Sequence, residues 1–163
     1  EIKKLNKYGR VYSKSIKELK INLKKSCILE PLATQTLSPR EASKFDYYIF
    51  GGILGDKELN GRTKRELTKF LKKSNKRNIG PIQLSSDNAV YVTNQIVNKG
   101  KSFKKIKFKD TIEIKINKIE SVILPYRYPI VKGKPRISPK LIAYLKNKKD
   151  FLVLIIVDSS SRF

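Results

Sequence analysis

The chain has 163 residues, of which 37 are Lys or Arg and 14 are Asp or Glu, so its formal net charge is +23. This length suits one domain with a real core, and the positive charge favours a polyanionic partner such as RNA or a ribonucleoprotein. The chain contains no histidine and one cysteine, Cys27, which argues against a metal site, a His-based triad and an internal disulfide. We expect a buried, inert thiol and a reducing cytoplasm.

Neither a membrane span nor a signal peptide is predicted. The longest late apolar run, residues 151–157, is far shorter than the roughly 20 residues of a membrane helix. The many lysines have a second interpretation. The chain is also rich in Ile and Asn, so a general bias in composition, rather than contact with RNA, could account for part of the lysine content.

Predicted helices and strands alternate along the chain. They are a helix at 13–21, a strand at 26–30, a helix at 38–42, a strand at 46–50, an amphipathic basic helix at 62–73, a strand at 77–79, a helix at 89–97, strands at 111–116 and 121–125, and a helix that begins at 138. This alternation predicts an α/β domain with a mainly parallel sheet, over residues 1–149.

Individual residues define several of these elements. Leu67, Phe70 and Leu71 share one face of the basic helix, and Asp87 is placed to cap the helix that follows it. Residues 111–116 alternate between apolar and polar side chains, which is typical of an edge or partly covered strand. Residues 121–125 are instead continuously apolar, which predicts a buried strand that Pro125 ends.

Three unusual segments follow predicted strands. Their sequences are FGGILGD at residues 50–56, NIGPIQLSSD at residues 78–87 and LPYRYP at residues 124–129. Ligands of open α/β sheets bind beyond the carboxyl ends of the strands, so we expect these segments to form one pocket. The first segment has three glycines but no dinucleotide or Walker pattern, so a neutral, flat ligand fits it better than a phosphate.

These segments, together with GRT at residues 61–63 and RNIG at residues 77–80, resemble the SPOUT-superfamily branch of predicted S-adenosylmethionine-dependent RNA methyltransferases. The likeness runs in order over about residues 8–148. The eukaryotic branch of that family methylates an arginine of a small-subunit ribosomal protein. The resemblance therefore implies a methyltransferase that acts on RNA or on such an arginine, with a C-terminal trefoil knot in its α/β domain and S-adenosylmethionine enclosed by the three segments.

The resemblance also implies site residues. Those that would contact the cofactor are Gly51, Gly52, Leu54, Gly55, Asn78, Gly80, Gln83, Leu84, Ala89, Pro125 and Tyr126. Candidates for substrate contacts are Arg62, Arg77 and Tyr128.

Two residues are candidates for catalysis. Asp56 is the carboxylate best placed by sequence to accept a proton or to orient a guanidinium, and its alternative role is a turn cap or an ion pair with Arg62. Arg127 is expected to stabilise the pocket or contact an RNA phosphate, with a structural ion pair as its alternative.

Some features leave the function open. Residues 57–60, KELN, depart from the His-Pro-Pro turn usual in the family, so a non-catalytic basic RNA- or ribosome-binding module is the alternative function. The family also has a strand that would precede Glu1, and we expect the tail at residues 150–163 to add a packed strand or an oligomer contact. The sequence leaves monomer and homodimer equally open.

Overall fold

The computed structural model describes residue 7 and residues 9–51 and 61–147. In chain order its strands and helices are β1 (Ser26–Leu29), β2 (Tyr47–Phe50), α1 (Arg62–Glu66), β3 (Asn75–Arg77), α2 (Ser86–Val97), β4 (Phe108–Lys115), β5 (Ser121–Val131), β6 (Lys134–Pro135) and α3 (Pro139–Asn147). Short 3-10 turns lie at Leu23–Lys25, Pro39–Lys44, Thr68–Phe70 and Phe103–Lys105. None of the helices in these ranges is long and apolar enough to cross a membrane.

The first three strands form a parallel sheet in the order β2-β1-β3. All four residues of β1 are buried, as expected for a central strand with both faces covered. Cys27 belongs to a cluster on one face with Val92 of α2, and Ile28 to a cluster on the other with Leu67 and Leu71. Burial raises the pKa of the Cys27 thiol to about 12. The prediction of a buried, inert thiol is therefore confirmed.

A second, antiparallel sheet in the order β4-β5-β6 was not predicted. The prediction of a mainly parallel sheet thus holds for β1, β2 and β3 and is wrong for the later strands. The prediction of a buried strand that ends at Pro125 is also wrong, because β5 continues to Val131 and Ile123 is 63% exposed. Two residues of β5, Pro125 and Tyr126, lie opposite the single residue Thr111 of β4, and this bulge accommodates a proline that cannot donate to the ladder.

Alternation in β4 is confirmed. Ile114 is buried, while Glu113 and Lys115 beside it are exposed. The turn after β5 is a tight hairpin in which Lys132 and Gly133 both have positive φ, at 49° and 77°, as type I′ turns require.

Three helix predictions need correction. Residues 13–21 form turns rather than a helix, although Ile16 still packs beneath the sheet. The basic helix ends at Glu66 and gives way to a 3-10 turn that leaves Phe70 half exposed. Asp87 is not the cap of α2, since Ser85 holds that position and Asp87 pairs with Arg136. Ser85 holds the cap position through its extended backbone, and its side chain forms no capping hydrogen bond.

A half-buried ion pair fixes the end of β3. Arg77 donates from Nη2 to Oε1 of Glu41 at 2.6 Å and from Nε to the same oxygen at 3.2 Å. The two side chains are only 13% and 22% exposed. The hydrogen bond from Arg77 holds the pKa of the Glu41 carboxyl below its ordinary value of 4.5.

We expect Glu41→Gln to lower the free energy of unfolding by about 1–3 kcal/mol at pH 7, since a charged hydrogen bond is lost and Arg77 keeps its burial. A carboxyl with a lowered folded pKa stabilises the fold above its unfolded pKa, and that stabilisation is lost as the pH falls through the folded value. The difference between the variant and the wild type should therefore shrink below about pH 4.5. Urea unfolding at pH 7 and pH 3 measures it.

Glu66→Gln is the matched control, because Glu66 forms an exposed pair with Arg65 at 3.4 Å. It should change stability by less than about 0.5 kcal/mol. Equal losses in the two variants would contradict a structural role for the Glu41 pair.

Candidate functional site

A pocket lies at the edge of the parallel sheet where β1, β2 and β3 end. Its described lining consists of Leu29, Glu30, Pro31, Phe50, Gly51, Thr63, Ile79, Gly80, Ile82, Gln83, Leu84, Ser86 and Ala89. Most of these side chains are apolar or neutral, and backbone is presented at both glycines. This is the edge at which ligands of open α/β sheets bind.

Five residues predicted to contact a cofactor line this pocket. They are Gly51, Gly80, Gln83, Leu84 and Ala89. Gly51 follows β2, the next three belong to the segment after β3, and Ala89 lies in the first turn of α2. Two of the three unusual segments therefore meet, as their positions after neighbouring parallel strands predict.

Asn78 lies beside the pocket and holds its wall in place. Its side chain donates to the carbonyl of Ala33 at 2.7 Å and accepts from Thr36 Oγ1 at 2.9 Å and from the Gly80 amide at 3.0 Å. Its backbone donates to Gln35 and accepts from Leu37, both at 2.8 Å. Asn78 is thus committed to protein contacts that join two loops.

Gly80 is the position where only glycine fits. Its φ is +96°, which side-chain-bearing residues rarely adopt, and a Cβ there would lie 2.0 Å from Cζ of Phe103. The Phe103 ring packs against Phe108 with 5.4 Å between centroids, so it has a neighbour behind it. The loop therefore comes close to an aromatic ring on one side and to the pocket on the other.

The third segment, residues 124–129, lies within β5 instead of forming a loop, and it contacts the pocket wall through a backbone hydrogen bond. The Arg127 amide donates to the Gln83 carbonyl at 3.1 Å, which ties β5 to the pocket wall. Pro125 and Tyr126 are half-buried in β5 and are absent from the described lining. The Arg127 guanidinium pairs with Asp110 on β4, the structural alternative for this side chain.

Two proposed substrate contacts are placed in the protein interior instead. Arg77 is engaged by Glu41, and its guanidinium also lies 5.7 Å from the Phe45 ring centroid. Tyr128 is 4% exposed, and burial raises the pKa of its phenol to about 12. Neither side chain lines the described part of the pocket.

Several predicted site residues lie outside the described residues. These are Gly52, Leu54, Gly55 and Asp56, together with the side chain of Arg62. Among the residues that are described, no three His, Cys, Asp or Glu side chains lie together as a metal site would require.

Sequence reasoning missed eight lining residues, among them Leu29, Glu30 and Ser86. Apolar residues such as Leu29 carry no signal that separates a pocket wall from a core. Glu30 did carry one, because it is an acidic residue directly after an entirely apolar strand end. Ser86 belongs to the segment at residues 78–87, but nothing in the local sequence distinguishes it as a lining residue.

The chain is similar in sequence to known protein arginine methyltransferases. A family model described as protein arginine N-methyltransferase SFM1-like matches residues 1–151. The protein arginine N-methyltransferase SFM1 of Saccharomyces cerevisiae is 39% identical over 121 residues, which make up 74% of this chain and 57% of that protein.

Solved structures of the yeast enzyme have a similar fold. Its complex with SAM superimposes with a TM-score of 0.71 at 37% identity, over 80% of this chain and 59% of that one. Its complex with SAH gives a TM-score of 0.71 at 36% identity, over 90% of this chain and 66% of that one.

The chain spans little more than half the length of the yeast protein, 57% by sequence and 59% in the complex with SAM. The family match nevertheless extends over nearly all of its residues. The chain therefore belongs to the protein arginine N-methyltransferase SFM1-like family.

Proposed function

We propose that the protein is an S-adenosylmethionine-dependent methyltransferase that modifies an arginine of a ribosomal protein. The observation that carries this proposal is the meeting of Gly51, Gly80, Gln83, Leu84 and Ala89 in one pocket. The family and the SAM and SAH complexes of the yeast relative support the same cofactor.

The chemistry of the pocket suits this cofactor. Leu29, Ile79 and Leu84 offer apolar surface to an adenine ring, and the glycines allow close approach to backbone. The cavity holds about 100 Å³, whereas small-molecule sites typically hold roughly 300–1,000 Å³. A whole nucleoside is larger than this cavity and would extend beyond it.

The main task of the protein's residues is to align the methyl donor with the methyl acceptor. S-adenosylmethionine, when bound, supplies a methyl group already activated on a sulfonium. The protein's contribution is then positioning, exclusion of water and removal of one proton. We propose that Asp56 accepts this proton, and that Arg127 supports the pocket through its backbone bond to Gln83 rather than touching the reacting atoms.

We also propose that the chain has the SPOUT class of fold with a C-terminal trefoil knot. The resemblance of residues 50–56, 78–87 and 124–129 to that superfamily supports this. The contact between β5 and the segment after β3 is compatible with the close approach that a knot needs. An experimental chain trace through residues 78–147 tests it.

The alternative function is a non-catalytic module that binds RNA or the ribosome. Its support is the net charge of +23 and a cationic cluster at Phe70, whose half-exposed ring has the ammonium groups of Lys17 and Lys69 at 3.4 and 4.8 Å from its centroid. RNA binding by itself is compatible with the methyltransferase too, because a ribosomal substrate brings RNA with it.

Transfer of labelled methyl from S-adenosylmethionine to small-subunit ribosomal particles tests the proposed function. We expect the label to survive ribonuclease, to be released by protease and to appear as methylarginine after acid hydrolysis. Label that ribonuclease releases would place the activity on RNA. Cofactor binding without any transfer would favour the non-catalytic module.

Gly80→Ala should weaken S-adenosylmethionine binding at least 10-fold. The added Cβ would lie 2.0 Å from the Phe103 ring, so the ring or the pocket wall must shift, and overpacking of this kind costs about 1–3 kcal/mol. Isothermal calorimetry measures the dissociation constant, and urea unfolding measures how much of the effect is global.

Gly133→Ala is the control that separates backbone strain at a positive φ from the steric clash with Phe103. Gly133 has a φ of +77° but no atom within 4 Å of its would-be Cβ, so this variant carries the backbone strain alone and should bind the cofactor normally. Phe103→Ala in the Gly80→Ala background should recover part of the affinity. A Gly80→Ala protein that binds within twofold of wild type would exclude this loop from the cofactor site.

Binding to RNA should depend strongly on salt if the lysines contact phosphates. The logarithm of the affinity for a single-stranded RNA should fall by roughly 0.7 per neutralised phosphate for each tenfold rise in salt. Lys17→Ala with Lys69→Ala should reduce that slope in a fluorescence titration. If the affinity of the wild type did not change with salt, the lysines would not contact RNA phosphates, and their number would reflect a general bias in composition.

A further inference from the structure

A second cavity, of about 230 Å³, lies between α2, β5 and the segment that joins α2 to β4. Tyr91 and Gln95 of α2 line it, together with Lys101, Lys105 and Lys107 of the joining segment, and its other described lining residues are isoleucines. This described lining contains no Asp or Glu, and it shares no residue with the lining of the pocket at the sheet edge. The second cavity is therefore a separate, positively charged recess.

The fold sets where the three lysines leave the backbone. The Lys101 amide donates to the Gln95 carbonyl of α2 at 3.0 Å, and the Lys107 carbonyl accepts from the Ile130 amide of β5 at 2.8 Å. Lys105 lies between them, at the end of a 3-10 turn. The three side chains therefore start from fixed points around the recess, although each of them is long and exposed.

The chemistry of this lining suits a phosphate group. Ammonium groups that share one recess repel one another, and an anion that binds between them relieves the repulsion. Lysine binds phosphate oxygens as a point charge, and Tyr91 and Gln95 add neutral hydrogen-bond donors. Arg136 is not counted among the cations of the recess, because it pairs with Asp87 at 2.7 Å while its guanidinium lies 4.9 Å from the Tyr91 ring centroid.

We propose that Lys101, Lys105 and Lys107 bind the phosphate backbone of RNA. Each phosphate of a strand carries one negative charge, so three cations around one recess suit a strand that brings successive phosphates better than they suit one small anion. The surrounding sequence extends the same charge, since residues 99–109 contain six lysines and no Asp or Glu. Lys104 and Lys109 of that segment are exposed as well, which gives a strand further cations outside the recess.

The lysine segment is also in contact with the cofactor pocket. Phe103 lies between Lys101 and Lys105 in the chain, and its ring packs so closely on Gly80 in the pocket wall that a Cβ there would be 2.0 Å from Cζ. RNA bound by the lysines would thus lie beside the pocket. The consequence for catalysis rests on the proposed function: RNA of the ribosomal particle binds the lysines and thereby brings a nearby protein arginine to the cofactor.

The first test is RNA binding by a triple variant with Lys101→Gln, Lys105→Gln and Lys107→Gln. Fluorescence anisotropy of a labelled oligouridylate, measured over a range of salt concentrations, gives the slope of log affinity against log salt. Each lost phosphate contact should reduce that slope by roughly 0.7, so the triple variant should lose about 2 from the wild-type slope. Urea unfolding should be unchanged, because all three lysines are exposed.

The matched control removes the same charge elsewhere, with Lys24→Gln, Lys118→Gln and Lys140→Gln. These lysines are exposed in three separate places, which are the 3-10 turn before β1, the β4–β5 connection and α3. The control should change the slope by less than about 0.7, the value of one phosphate contact. Equal slopes for the two triple variants would show that RNA affinity follows net charge alone, and would overturn the assignment of the recess.

The second test is methyl transfer to two forms of the substrate. With intact small-subunit ribosomal particles, the kcat/KM of the Lys101, Lys105 and Lys107 variant should fall about 10-fold, chiefly through a higher KM, as expected when uniform binding is lost. With small-subunit proteins freed of RNA, the difference from wild type should vanish, because no phosphate backbone is present. An equal fall with both substrates would remove RNA from the role of these lysines.

Two other ligands of the same chemistry are tested beside the oligouridylate. If inorganic phosphate bound the wild type as tightly as the strand does, the recess would be a site for a small anion, and the inference would be wrong. It would also be wrong if the triple variant lost affinity for vesicles containing phosphatidylserine and kept its affinity for RNA. A wild type that methylates neither substrate would overturn the proposed function, whereas weaker RNA binding by the triple variant than by its control would still support the RNA site.

Discussion

Burial of β1 between two parallel strands is the constraint on which the rest of the structure depends. Hydrogen bonds on both of its edges and apolar side chains on both of its faces leave it one register. That register brings Glu30, Gly51 and Asn78 to the same edge of the sheet, although they are distant in sequence. A slip of one residue would exchange the faces of β1 and separate these groups. The pocket is therefore a consequence of core packing.

Polar contacts among residues outside the pocket lining hold the pocket wall in place. The Asn78 side chain and backbone connect the segment after β3 to the segment after β1, and the Arg77–Glu41 pair fixes the end of β3 beside it. These groups are satisfied by protein and are not available to a ligand. A pocket built in this way presents backbone and apolar surface to a ligand, and Glu30 is the charged residue among its described lining.

Charge is distributed unevenly between surface and pocket. The lysine-rich exterior has the sign that attracts nucleic acid and repels a basic peptide, while the pocket contains a carboxylate. A substrate that combines arginine with an RNA-rich surrounding satisfies both features. A ribosomal protein within its particle has this combination, which is why the proposed substrate and the basic surface are compatible.

The sequence alone determined two strands of the parallel sheet, the buried thiol and most of the segments at its edge, because these follow from local patterns of apolar runs, glycines and caps. The third strand was predicted at residues 77–79 and lies two residues earlier, at Asn75–Arg77. The sequence did not determine the partners of the later strands. Pro125 predicts a strand end, yet pairing with β4 and a bulge in β5 opposite Thr111 carry β5 through it. Nor could it distinguish Arg77 in an ion pair from Arg77 at a substrate, since that depends on the distance to Glu41. Only the tertiary structure decides which charges are paired, because pairing is set by the packing of residues far apart in the chain.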